Sequence, residues 1–174
     1  DDSANTTSAF ASSPFSNTMG EQRTLVILAN FQNKQDEPYT VSEAQELVFG
    51  TVNDFYMENS YGQTWLSGDV LGWYTLPFDQ PTDSATCKTS EISRYAQEAA
   101  QNAGVNLADF NHYVYVFPQT PCFPSGSGTV GGNPSESWIN GNWFKLKTVG
   151  HELGHNLGLF HSGSQECGDT TLGI

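Results

Sequence analysis

The chain has 174 residues, with 19 Asp or Glu against 6 Lys or Arg and a formal net charge of −13 at pH 7. The length suits one domain with a sizeable core, and the acidity disfavours nucleic acid and anionic membrane surfaces as partners. No apolar run approaches the roughly 18 residues of a membrane span, and no basic stretch followed by an apolar one opens the chain, so any export signal is expected to have been removed.

Residues 1–20, DDSANTTSAFASSPFSNTMG, are rich in Ser, Thr and Asn without periodicity and read as a flexible tail or a propeptide-junction remnant; residues 21–174 read as the folded domain. Thr24 to Phe31 is a short apolar run of β-formers, a strand buried on both faces. Thr40 or Ser42 can then cap a helix whose apolar positions, Ala44, Leu47, Val48, Val52, Phe55 and Tyr56, keep three- and four-residue spacing. Asn59, Ser60 and Gly62 end it, and Thr64 to Leu76 reads as a strand or bent hairpin with Trp65, Val70, Trp73 and Tyr74 as core bulk. Pro77 to Thr86 is a polar loop; its Asp79 and Asp83 do not by themselves make a calcium site, so calcium stays without support. A second helix runs from about Ser90 to Ala103 and stops at Gly104. His112 to Phe117 follows as a strand, with His112 read as a satisfied structural residue. Gln119 to Gly132, rich in Pro, Gly and Ser, reads as an exposed loop near a cleft rim, and Asn133 to Asn140 as a short strand. Strand and helix alternate, which implies a mixed α/β layer architecture.

The chemistry concentrates in Thr148 to Ser162, TVGHELGHNLGLFHS, where His151, Glu152, His155, Gly158 and His161 spell HExxHxxGxxH. On a helix over Thr148 to Leu157, His151 and His155 lie one turn apart on one face and can converge on a metal ion, with Glu152 beside it. Gly158 can take a positive φ, end the helix and turn the chain so that His161 joins the pair. Three protein ligands leave a fourth tetrahedral position for water, the arrangement of a catalytic rather than a structural zinc. The five fixed positions coincide by chance in about one chain in 10^5 of this length, which sets aside a buried helix with incidental histidines. His151, His155 and His161 are the candidate ligands of one catalytic Zn2+, and Glu152 is the candidate general base that takes the proton of the attacking water.

This motif is the long signature of the metzincin zinc peptidases, and the phrases TLVILANFQ, ENSYGQTWLSGDV, NHYVYVFP, GTVGGNPSESWIN and HSGSQECGDTTLG bring the chain closer to the gametolysin-type metallopeptidases of family M11, which it resembles over nearly all residues after about 20. The resemblance implies an α/β fold of the α+β type, a mixed twisted sheet with two backing helices, one of them the active-site helix. It implies a secreted zinc endopeptidase acting on extracellular proteins, with an extended protein or peptide substrate bound along an edge strand near residues 133–140. The clan carries a methionine turn beyond the third histidine; here twelve residues follow Ser162 and both methionines, Met19 and Met57, lie upstream, so the chain is expected to be a catalytic domain truncated before that turn.

Cys87, Cys122 and Cys167 form no CxxC or zinc cluster and read as disulfide partners with one left over; Cys87 is expected to pair with Cys122, which places the chain outside the cell. A monomer is expected. The competing expectation is a zinc-binding module for recognition or adhesion that lacks a complete cleft, and the presence of Glu152 speaks against it because a purely structural site needs no base.

Overall fold

The computed structural model of the protein describes residues 18–122 and 124–161. The expected tail, apart from its last three residues, and Cys167 lie outside them. Strand β1 (Gly20–Phe31) runs through the middle of the molecule, and every residue from Leu25 to Phe31 is buried. Its side chains alternate: Val26 and Leu28 point into one apolar cluster, while Leu25, Ile27, Ala29 and Phe31 point into another on the opposite face. The sheet has five strands in the order β2-β1-β3-β5-β4, where β2 is Thr64–Leu76, β3 His112–Phe117, β4 Gly126–Gly128 and β5 Ser135–Asn140. β1, β2, β3 and β5 pair in parallel, and β4 alone is antiparallel. The region from Thr64 to Leu76 is therefore one long strand with a register shift opposite Ile27 and Ala29, not a hairpin.

One face of the sheet is backed by a helical segment, made of α1 (Val41–Gln45), a wider π-helical stretch (Glu46–Val52) and α2 (Asn53–Asn59), and by α4 (Leu146–Asn156). Thr40 caps the first of these through a reciprocal capping box with Glu43, an arrangement that stabilises a helix start by about 1 kcal/mol. Ala44, Val48, Val52 and Tyr56 are its buried residues. Their strict four-residue spacing exceeds the ordinary helical period, and the wider π turn keeps that row facing the sheet. The other face is covered by α3 (Thr89–Asn102), which buries Ile92, Ser93, Ala96 and Ala100 and ends at Ala103 before Gly104.

Two expectations change. The segment from Gln119 to Gly132 contains a strand, β4, whose Gly-Ser-Gly sequence has no β-propensity of its own and forms only by pairing with β5. In consequence β5 is not the sheet's edge: it is flanked by β3 and β4, and the edge on that side is Gly126–Gly128. Residues 133–140 supply the strand behind the cleft rather than its rim.

His112 is structural, as expected. It is buried at the start of β3, with Nε2 2.9 Å from the Gln22 side-chain oxygen and Nδ1 2.6 Å from the Ser135 hydroxyl. The Gln22 oxygen can only accept, so Nε2 carries the proton and Nδ1 accepts from Ser135, which uses both nitrogens of a neutral ring. Burial pushes its pKa down from 6.5 to about 4. A depressed histidine contributes stability that is complete above the unfolded pKa and is lost as pH falls towards the folded one. Urea unfolding of the wild type should therefore lose about 3 kcal/mol between pH 6.5 and 4 from this group, and His112→Gln should show a shallower pH dependence in that window; identical slopes would contradict it.

Candidate active site

Nearly all of α4 is covered by its neighbours. Val149 and Leu153 enter the core against the sheet, Glu152 and Asn156 face the β4–β5 hairpin, and only Lys147 and His151, with half-buried His155, form an open strip at four-residue spacing. The helix ends in a Schellman motif: the Gly158 amide donates to the His155 carbonyl at 2.7 Å and the Leu159 amide to the Gly154 carbonyl at 3.0 Å. Gly158 has φ +92°, a conformation that a side chain disfavours.

That turn brings in the third histidine. His161 Nε2 lies 3.1 Å from Nε2 of His151 and 3.1 Å from Nε2 of His155, and the ligand atoms of all three residues fall within 4.8 Å of one another. Two ligand atoms of a tetrahedral zinc at about 2.05 Å are about 3.3 Å apart, so the spacing fits a single ion. The donor chemistry fits too. His155 Nδ1 is 2.7 Å from the Leu159 carbonyl, which can only accept, so Nδ1 is protonated and the Nε2 lone pair is free for a cation. Burial, and next the neighbouring imidazoles and Lys147, push the pKa of His151 down. The structure thus assembles the three histidines that the spacing singled out, through the turn expected at Gly158.

Glu152 is 5% exposed and borders an open cleft of about 450 Å³ between α4 and β4, lined also by Pro124, Ser125, Val130, Phe160 and the three histidines. Burial raises its carboxyl pKa, with His155 opposing the shift. The edge strand presses on it closely: a Cβ on Gly126 would stand 3.0 Å from the Glu152 side chain, and one on Gly128 would stand 2.8 Å from the Glu152 backbone oxygen. The two glycines are what let a strand lie this near the helix. Sequence reasoning missed them, because a Gly-Ser-Gly run signals a loop until its partner is known.

Cys87 and Cys122 are unbonded and neighbour each other; burial, then the Cys122 thiol and Asp83, push the Cys87 thiol up to about 11.

A mixed sheet backed by a helix whose end gathers three histidines, beside a buried glutamate, defines a metzincin-like α+β fold. The family model of gametolysin peptidase M11 matches residues 39–172, and the chain belongs to that family. No curated protein matches the chain. A chain in a solved structure described as "Structure of a chaperone-substrate complex" superposes with a TM-score of 0.56 over 84% of this chain at 18% identity, a likeness of fold alone. This chain spans 25% of that chain's length. Among the described residues no helix is long and apolar enough to cross a membrane.

Gly128→Ala should destabilise the fold by about 1–3 kcal/mol, because the new methyl would stand 2.8 Å from the Glu152 backbone oxygen, which cannot rotate away as a side chain can. Thermal unfolding at neutral pH checks this, and an unchanged midpoint would mean the strand can move away freely.

Proposed function

We propose that this protein is a secreted zinc-dependent endopeptidase in which His151, His155 and His161 hold one zinc ion and Glu152 is the general base. The observation that carries the reading is the convergence of three Nε2 atoms beside a buried carboxylate in an open cleft. Zinc, when bound by these residues, would supply Lewis acidity for peptide hydrolysis. Glu152 accepts the proton of the attacking water and returns it to the leaving amine nitrogen; its raised pKa suits a group that must hold a proton between those two acts. The free side of β4 offers main-chain groups to an extended peptide, which would add as a further strand antiparallel to β4, so that backbone pairing provides affinity irrespective of side chains. Extracellular proteins are the proposed substrates.

Hydrolysis of a quenched casein or gelatin substrate tests the reading. Wild-type activity should disappear with chelator and return with zinc. Glu152→Gln should retain stoichiometric zinc and the fold while losing at least about 10^2-fold in turnover, whereas alanine at His151, His155 or His161 should lose the metal. Near-normal hydrolysis by Glu152→Gln would defeat the base assignment, and bound zinc without wild-type hydrolysis would favour a recognition module.

Secretion carries a second expectation, a disulfide between the neighbouring Cys87 and Cys122. Protein recovered from an oxidising compartment should show neither thiol to a thiol reagent under denaturing conditions until reduced. Two titratable thiols at these positions would count against both the bond and the compartment.

A further inference from the structure

Asn156 follows a candidate zinc ligand directly and faces away from the metal, and its side chain is 3% exposed. Every side-chain hydrogen bond it makes among the described residues goes to the β4–β5 hairpin. Its Nδ2 group donates to the Thr129 carbonyl and to the Glu136 carbonyl, both at 3.0 Å, and its Oδ1 accepts from the Ser137 hydroxyl at 2.8 Å. Ser137 is fully buried and is the residue of β5 that pairs with Gly128 of β4. Beside this clamp the Gly131 amide donates to the His155 carbonyl at 2.8 Å, and the Thr129 amide closes the hairpin on the Glu136 carbonyl at 2.9 Å.

Glu152 and Asn156 are one helical turn apart and both face the hairpin. Glu152 meets β4 through close packing on Gly126 and Gly128, a contact with no directional bond. Asn156 supplies the directional one. A primary amide is the one side chain of this size that can serve two carbonyls and one hydroxyl together.

We propose that Asn156 is a positioning residue for peptide hydrolysis: by locking the β4–β5 hairpin to the C-terminal end of α4, it sets the gap between the substrate-binding edge of β4 and the Glu152 and histidine cluster. This inference rests on the peptidase reading above. It requires that loosening the clamp impair the binding of an extended substrate more than the chemical step, because the metal ligands and Glu152 stay on an intact helix while the edge strand shifts.

The test uses the full chain with Asn156→Asp, which keeps the shape and the acceptor but removes both donated bonds, and Ser137→Ala, which removes one bond from the hairpin side. For a peptide long enough to lie along β4, Asn156→Asp should raise KM about tenfold while kcat stays within about threefold, with zinc content unchanged, and Ser137→Ala should move KM in the same direction by less. Amide exchange at Thr129 and Gly131 should accelerate about tenfold in Asn156→Asp, while amides inside β1 and β3 keep their protection. A merely structural role would instead lower kcat in proportion to the folded fraction, leave KM alone and speed exchange throughout the sheet; that pattern, or unchanged KM in both variants, would overturn the proposal. A wild type that binds zinc and cleaves nothing would overturn the peptidase reading and the catalytic role with it, whereas active wild type with unaltered variants would overturn the positioning role alone.

Discussion

The left-handed turn at Gly158 is the constraint on which the site depends. A helix continued past Leu157 would carry His161 away from its partners, since side chains ten residues apart on one helix are about 15 Å apart along the axis. The Schellman turn instead reverses the chain within one residue, satisfies the His155 and Gly154 carbonyls, and places the Leu159 carbonyl against His155 Nδ1. One backbone conformation thereby sets both the position of the third imidazole and the tautomer of the second.

The second organising feature is the division of α4 into three strips. Val149 and Leu153 anchor the helix in the core; His151 and His155 open outward; Glu152 and Asn156 meet the hairpin. Helical periodicity makes this separation automatic once the residues stand in that order. It also explains why Glu152, adjacent in sequence to an exposed histidine, is nearly as covered as the core. Its burial has a function in the proposed chemistry, because a desolvated carboxylate holds a proton more readily than a hydrated one. The glycines of β4 complete the arrangement by allowing backbone to press where any side chain would collide.

The two faces of the sheet do different work. α3 and its cluster of Phe31, Phe117 and Tyr115 stabilise the far side and contribute nothing to the cleft, whereas the face holding Val26, Val114 and Val116 receives α4 directly. A rigid parallel core of β1 and β3 therefore stands behind a thin, glycine-rich rim. That contrast suits a cleft that must accept a peptide along its edge while its reactive groups stay fixed.

Much of this was legible in the sequence because its determinants are local. Apolar runs and spacing located β1, α3 and β3; Thr40 was one of two offered helix caps and is the one that caps; the HExxHxxGxxH spacing named the three histidines, Glu152 and the turn at Gly158. His112 was rightly read as structural. What the chain alone could not disclose was everything decided by partners distant in sequence. Gly126–Gly128 is a strand only because β5 lies beside it, so the rim of the cleft was assigned to residues 133–140. Asn156 looked like one polar position in a motif until the carbonyls of Thr129 and Glu136 came within 3.0 Å of its amide. Local spacing determines which side chains share a helix face, since the backbone period is the same everywhere; which surface that face meets, and how closely, is determined only when the sheet closes around it.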